Sequence, residues 1–230
     1  WLTPQEGVLV QTPVYPPIRV LGKVRQRPVV DVPVALSAAE LASSVQPPTK
    51  ALLLCNPQNP TGKVYSREEL EQLAELAEAR NLLVISDEIW ADLVLEPGLR
   101  HVPFASISEA AAQRSVTLMA PSKTFNIAGL GCSFAVIQNP QLRRDFQRAR
   151  KGIVPDVNLL GYTAALAAFR DGEAWHQAQI NYLRGNRDYL LQEINSIPGL
   201  SLLPIEATYL AWIDVSAARL ENPARFFEQA

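Results

Sequence analysis

Short apolar runs alternate with amphipathic stretches along the first part of the chain. Buried strands are predicted over residues 8–11, 51–55, 82–86, 115–119 and 132–137. Between the second and third strands, Ser66 is followed three residues later by Glu69, a capping box that predicts a helix continuing to about Arg80. This alternation is typical of an α/β fold with a mostly parallel sheet and helices on both of its faces.

The remaining pattern predicts a loop, three long helices and a smaller segment. The proline-rich stretch 12–17 is predicted to be a loop, because proline cannot donate to a strand ladder. From about Asn139 the pattern favours helices, over residues 141–151, 159–170 and 173–196. Two short strands, over 200–203 and 208–213, then predict the start of a smaller α+β unit.

Composition narrows the classes of function. The formal net charge of −2 gives no basic excess that would attract nucleic acid or a membrane surface. No apolar run approaches the roughly 18–20 residues that span a bilayer. Two cysteines, Cys55 and Cys132, are too few for a disulfide framework and favour a cytoplasmic protein. His101 and His176 offer no metal-ligand spacing, so we expect no metal site and interpret both as surface or loop residues.

Three polar residues follow the ends of predicted strands: Asn59, Asp87 and Lys123. Because ligands of such sheets bind outside the carboxyl ends of the strands, we expect these side chains to share one crevice. A lysine can form a Schiff base with an aldehyde, a carboxylate can keep a pyridine nitrogen protonated, and an amide can bind a phenolic oxygen. Together they suit a pyridoxal cofactor, although singly each has a plainer interpretation as a turn or surface residue.

These residues lie in three motifs. The motifs are Asn59-Pro60-Thr61-Gly62, Ser86-Asp87-Glu88-Ile89 and Ser122-Lys123-Thr124-Phe125-Asn126-Ile127-Ala128-Gly129. With these motifs in this order, the sequence resembles the fold-type-I pyridoxal-phosphate (PLP) aminotransferase superfamily. Within it, the chain is most similar to the cystathionine β-lyase-like (cysteine C–S lyase) branch, on segments 12–17, 55–60, 87–93, 101–106 and 207–214.

The resemblance implies a domain organisation. Residues 1–155 correspond to a PLP-binding large domain, and 156–230 to interdomain helices with part of a C-terminal small domain. The chain begins at Trp1 and its last residues follow a helical pattern, so we expect it to be an internal piece of a longer protein. The arginine that binds the substrate carboxylate, and much of the phosphate site, are then expected outside this piece. The resemblance also implies a homodimer.

The same resemblance implies roles for individual residues. Lys123 holds the cofactor and removes the Cα proton of an amino-acid substrate, Asp87 pairs with the pyridine nitrogen, and Asn59 binds the phenolic oxygen. Tyr15 stacks on the cofactor ring, unless it is only a loop aromatic that covers the sheet edge. Ser122 contacts the phosphate, with local turn capping as the alternative.

Two positions depart from the common aminotransferase pattern. Trp90 replaces the tyrosine that many aminotransferases have three residues after the aspartate. An indole donates one hydrogen bond but cannot act as an acid, so no proton relay through Trp90 is predicted. Gly131 replaces an arginine that many members use to hold the phosphate.

Three functions are compatible with these residues. The first is a C–S β-lyase that cleaves cystathionine or related cysteine conjugates to pyruvate, ammonia and a thiol. The second is an aminotransferase, which would use the same lysine, aspartate and asparagine. The third is a non-catalytic sensor, in which an aminotransferase-like domain is fused to a DNA-binding module. We rank them in that order.

Overall fold

The computed structural model describes residues 1–24 and 26–229 of the chain. Six strands form its main sheet within these residues: β1 (Gly7–Thr12), β2 (Val29–Pro33), β3 (Thr49–Cys55), β4 (Leu83–Asp87), β5 (Ser115–Met119) and β6 (Phe134–Val136). Their order is β2-β1-β3-β4-β5-β6. The first five strands are parallel and β6 runs antiparallel to β5, which confirms the predicted mostly parallel sheet.

Helices connect and follow these strands. Along the described chain they are α1 (Pro16–Val24), α2 (Ala38–Ser44), α3 (Arg67–Ala79), α4 (Glu109–Gln113), α5 (Pro140–Arg150), α6 (Leu159–Asp171), α7 (Glu173–Ser196) and α8 (Pro223–Gln229). Two short antiparallel strands, β7 (Ser201–Leu202) and β8 (Ile213–Asp214), form a second sheet between α7 and α8. The three long helices predicted after Asn139 are confirmed as α5, α6 and α7.

The central strands β1 and β3 are buried on both faces of the sheet, and β3 shows why such a strand is continuously apolar. Leu52 and Leu54 join the hydrophobic cluster on one face, whereas Leu53 and Cys55 join the cluster on the other. Side chains alternate between the faces of a strand, so a strand covered on both sides needs apolar residues at every position. Full burial of such a side chain contributes about 1.5–3 kcal/mol, so the carboxyl end of β3 is firmly held.

Helix α3 begins where the capping box predicted. The Ser66 hydroxyl accepts from the Glu69 backbone N–H at 3.2 Å, and the Glu69 carboxylate accepts from the Ser66 N–H at 2.8 Å. Leu70 and Leu73 on the apolar face of the helix are buried in the core cluster. The helix therefore covers the sheet and fixes the segment that leads into it.

Several predicted elements differ from the structure. The buried strand predicted over 132–137 is the short edge strand β6, with two of its three residues exposed, and the strand predicted over 200–203 is reduced to β7. Residues 16 and 17 are not loop but begin α1, because proline at the first positions of a helix lacks a donor that would be unpaired there anyway. The strand predicted over 208–213 is reduced to β8. Thr208 adopts a φ of +72°, outside the strand region, and its N–H donates instead to the Leu93 carbonyl at 2.9 Å.

Candidate active site

The predicted site residues lie at or just beyond the carboxyl ends of three neighbouring strands. Asp87 is the last residue of β4, and its register partners are Cys55 on β3 and Leu118 on β5. Asn59 lies four residues beyond the end of β3, and Lys123 four residues beyond the end of β5. All three residues thus leave adjacent parallel strands at the same edge, where ligands of such sheets bind.

The Asp87 carboxylate is largely buried and lines a cavity of about 670 Å³. Its Oδ1 accepts one hydrogen bond, from the Ile89 backbone N–H at 3.2 Å. Burial is the main cause that raises the pKa of Asp87; the Ile89 N–H lowers it, the Glu88 charge raises it, and the Lys123 charge lowers it. A buried carboxylate that accepts only one backbone hydrogen bond is chemically suited to a cationic donor, such as a protonated pyridine nitrogen.

Lys123 lies against an aromatic pair. Its Nζ is 5.4 Å from the centroid of the Trp90 ring. Trp90 is buried, and its ring meets that of Tyr209 edge to face, with centroids 4.6 Å apart and an interplanar angle of 74°. Trp90 also belongs to the apolar cluster that joins the sheet edge to α7 and the second sheet. Sequence reasoning did not single out Tyr209, because the strand predicted there concealed the turn that aims its side chain.

The turn that carries Asn59 is held by its neighbour Gln58, which is fully buried. The Gln58 side-chain oxygen accepts from the Thr61 N–H at 2.9 Å and from the Thr61 hydroxyl at 2.7 Å. Its amide nitrogen donates to the Pro13 carbonyl. Gln58 therefore links the Asn59 turn to the segment that leads to Tyr15.

Cys55 supports the same turn. Its thiol accepts from the Asn59 N–H at 3.4 Å and donates to the Pro57 carbonyl at 3.5 Å. Burial, with a smaller contribution from the Asp87 charge, raises the pKa of Cys55 to about 12. The sulfur stays a protonated thiol at neutral pH and orients the turn rather than acting as a nucleophile.

The remaining predicted residues lie outside the cavity that Asp87 lines. Tyr15 is about half exposed and directly precedes α1, where its carbonyl accepts from the Ile18 N–H at 2.9 Å. Ser122 is partly buried and its carbonyl accepts from the Ile127 N–H at 3.1 Å. Among the described residues, the cavity lining includes neither of these two, nor Asn59, Lys123 or Trp90. Its lining does include Gly131, Ser133, Arg143, Arg150, Asp156 and Tyr162.

A buried hydrogen bond between a carboxylate and an imidazole, beside Asp87, was missed by sequence reasoning. Glu88 is fully buried, and its Oε2 lies 2.8 Å from Nε2 of His101, whose side chain is only 8% exposed. Glu88 Oε1 accepts from the Ser86 hydroxyl at 2.8 Å and from the Phe104 N–H at 3.0 Å. His101 lies in a loop, which was one of the two predicted alternatives, but its side chain is nearly buried and not on the surface. The one available signal in the sequence was that Glu88 lies next to the end of a predicted buried strand. Nothing in the neighbouring sequence indicated that Glu88 would contact His101.

Within residues 1–24 and 26–229, no cluster of three or more His, Cys, Asp and Glu side chains could hold a metal ion. No helix in the same ranges combines the length and the apolar character that a membrane span requires.

Comparison with known proteins assigns the family. Residues 1–229 match the family described as aminotransferase class I and II. The chain is 36% identical to cystathionine β-lyase PatB of Bacillus subtilis (strain 168) over 230 residues, which cover 95% of this chain and 59% of that protein. The crystal structure of OvoB has a TM-score of 0.96 at 49% identity, covering 100% of this chain and 62% of that one.

The PLP-bound C–S lyase from Staphylococcus hominis is a further structural relative, with a TM-score of 0.90 at 31% identity over 99% of this chain and 62% of that chain. The chain spans 59% of the curated relative PatB. It belongs to the class I and II aminotransferase family, and its relatives include the cystathionine β-lyase and C–S lyase branch that its motifs predicted.

Proposed function

We propose that the full-length protein is a PLP-dependent C–S β-lyase that cleaves cystathionine or a related cysteine conjugate to pyruvate, ammonia and a thiol. One observation carries the proposal: a buried, cavity-lining Asp87 within the electrostatic reach of Lys123, at the carboxyl edge of a parallel sheet. Similarity to cystathionine β-lyase PatB supports the reaction type. The activity is proposed for the whole protein, since this chain is shorter than its relatives.

The donor set at the sheet edge fits PLP. The Asp87 carboxylate would accept from the pyridine nitrogen, the Asn59 amide would donate to the phenolic oxygen, and the Lys123 amine would bond to the aldehyde carbon. When bound, the cofactor withdraws electrons from the substrate's Cα. Tyr15 would stack on the ring and Ser122 would donate to the phosphate.

Lys123 also has a part in proton transfer. Its amine would take the proton from the substrate's Cα, and the electron pair left behind would expel the Cβ substituent as a thiolate, so that the C–S bond breaks. Water then supplies the oxygen of pyruvate as the amino group leaves as ammonia. The indole of Trp90, which packs against Lys123, would cover that side of the amine and would not act as an acid.

The test uses the full-length protein, L-cystathionine and no added keto acid, with pyruvate, ammonia and thiol measured together. We expect the three products in equal amounts from the wild type and from Lys151→Ala, a control at an exposed lysine after α5. Lys123→Ala should lose both turnover and the absorbance of covalently bound cofactor, because its amine supplies both functions. Equal pyruvate release from Lys123→Ala would refute the assignment of Lys123.

Other outcomes would favour the alternatives. An aminotransferase would bind PLP normally, release no pyruvate from cystathionine, and turn over only when a keto acid is supplied. A sensor would bind PLP covalently, turn over neither way, and respond to PLP in a DNA-binding assay. Absence of the cofactor absorbance in the wild type would refute PLP dependence and with it all three functions.

We also propose that the protein is a homodimer. Support comes from α6, where five large apolar side chains are more than half exposed: Leu159, Leu160, Tyr162, Leu166 and Phe169. Contiguous exposed apolar surface of this kind is typical of protein interfaces. Light scattering of the full-length protein should give twice the chain mass, and Leu166→Asp should lower it to one chain mass. A monomeric wild type would contradict the proposal.

A cytoplasmic location is our last expectation. Support comes from Cys55 and Cys132, which are free cysteines. Fractionation of the source cells with an antibody against the protein would test it.

A further inference from the structure

Immediately after Asp87, the chain buries a second carboxylate that the proposed reaction does not use. Glu88 is fully buried, and its carboxylate accepts from the Ser86 hydroxyl, the Phe104 N–H and His101 Nε2. Three donors within 3.0 Å account for its position in the core. Because burying a carboxylate is costly even when it is hydrogen-bonded, a fold selected only for stability would gain little from it.

Glu88 is held by more hydrogen bonds than the neighbouring Asp87. Glu88 donates its own N–H to the Leu118 carbonyl at 2.9 Å, which ties it to the end of β5. Asp87, by contrast, accepts from the Ile89 N–H alone among the described hydrogen bonds of its side chain. The Nδ1 atom of His101 is buried and, within the described part of the chain, has no hydrogen-bond partner. Glu88 and His101 thus form a buried hydrogen-bonded pair next to Asp87, whose carboxylate can accept further hydrogen bonds.

We propose that Glu88, held by His101, is a positioning residue whose negative charge strengthens the hold of Asp87 on the proton of the cofactor's pyridine nitrogen. This inference rests on the proposed function, in which Asp87 contacts that nitrogen. The Glu88 charge already contributes to the raised pKa of Asp87, as expected for a nearby like charge.

Other charged side chains near Asp87 also act on its carboxylate. Lys123 acts on Asp87 in the opposite sense to Glu88, because it is positively charged. On the cavity side the charged residues are Arg143, Arg150 and Asp156, and Arg150 is paired with Asp156 at 2.7 Å. Glu88 is therefore the negative charge that acts on Asp87 from inside the core rather than across the cavity.

The experiment follows the ring nitrogen directly, in full-length holoenzyme reconstituted with ¹⁵N-labelled PLP. We expect Glu88→Gln to keep the fold and to lower the ratio of protonated to unprotonated ring nitrogen by about tenfold, since one pKa unit is a tenfold change. The ¹⁵N resonance reports that ratio, and equilibrium dialysis reports PLP affinity. Glu88→Asp keeps the charge and should keep the wild-type resonance.

Two controls isolate the effect. Glu96→Gln makes the same chemical change in an ion pair with Arg187, 3.0 Å long, that lies outside the Asp87 cavity, and should leave the resonance unchanged. His101→Gln removes the imidazole but keeps a donor and the carboxylate, so the ring nitrogen should stay protonated. If Glu88→Gln does not fold, the double variant with His101→Gln pairs two amides and should show the same tenfold loss.

Two patterns would overturn the inference while leaving the proposed function intact. One is a wild-type resonance in Glu88→Gln together with a lost proton in Asp87→Asn. The other is an equal loss of PLP affinity in Glu88→Gln and Glu88→Asp with an unshifted resonance, which would assign Glu88 a packing role only. A protonated ring nitrogen in Asp87→Asn would instead refute the role of Asp87, and the inference with it.

Discussion

Gly62 lies where the turn that carries Asn59 meets the segment after β7, and the structure leaves no room there for a side chain. Its φ is +75°, and a Cβ would lie 2.7 Å from the Ala207 carbonyl oxygen and 3.0 Å from Cγ2 of Ile205. The Gly62 carbonyl accepts from the Ala207 N–H at 2.9 Å, and the Gly62 N–H donates to the Gln58 carbonyl at 2.8 Å. Gly62→Ala therefore perturbs both the turn and its contact with Ile205 and Ala207.

Three terms contribute to the expected loss of stability. An L-residue in the left-handed region costs roughly 1–2 kcal/mol. Crowding a close-packed contact costs about 1–3 kcal/mol. Weakening the hydrogen bond to Ala207 costs about 0.5–1.5 kcal/mol. Because one backbone shift relieves part of each term, we expect Gly62→Ala to lower the free energy of unfolding by roughly 2–5 kcal/mol.

Gly98 provides a matched control. It has a φ of +90°, but nothing lies within 4 Å of the position that a Cβ would occupy, so Gly98→Ala should show the backbone strain alone, about 1–2 kcal/mol. Urea unfolding of both variants and the wild type, without cofactor and at one protein concentration, measures the difference. PLP affinity should fall in Gly62→Ala only, because its turn carries Asn59. Equal losses of stability in the two variants would refute the steric argument.

Two further predictions concern the sheet edge. Burial raises the pKa of Asp87, so its ionised form costs stability at neutral pH, and this cost disappears as pH falls through the raised pKa. Asp87→Asn should therefore stabilise the cofactor-free protein by about 0.5–2 kcal/mol at neutral pH and by less in acid. Thermal unfolding at several pH values measures the difference. A variant that is less stable than the wild type at neutral pH would contradict the prediction. Tyr209→Ala should remove the edge contact with Trp90, whose loss lowers the free energy of unfolding by about 0.5–1.5 kcal/mol, and should change the near-ultraviolet circular dichroism. Tyr209→Phe should keep both the contact and the wild-type spectrum. An unchanged spectrum in the alanine variant would count against the pairing.

Elements with strong local signals were predictable from sequence. The strand predicted over 115–119 and the helix predicted over 173–196 have those same bounds in the structure, and the capping box marks the start of α3. By contrast, α1, β2 and α2 were not predicted. Prolines at the start of α1 resemble a loop, and β2 is an edge strand with four of its five residues partly or fully exposed, which weakens its apolar pattern.

The residues of the candidate site likewise divide into those that the sequence indicated and those that it did not. Asn59, Asp87 and Lys123 could be proposed from sequence because each follows a predicted strand, and parallel strands end at one edge. Glu88 and His101 were not found, because they are separated by 13 positions and become a pair only when the loop between them folds back. Charged residues are usually solvated, so only tertiary structure could reveal that this pair is buried.

Several unfavourable features of the fold lie at or next to this edge. Thr208 is a β-branched residue with a left-handed backbone, Glu88 is a buried carboxylate, and Asp87 has a pKa raised by burial. Away from the edge, β3 and α3 follow the ordinary rules of burial and capping. A strained backbone persists only where surrounding contacts hold it, and Thr208 is held through its bond to Leu93, next to the Tyr209 that packs on Trp90. If Asp87 served stability, Asp87→Asn would destabilise the protein; the gain in stability that we expect for this variant would instead indicate that the edge serves function.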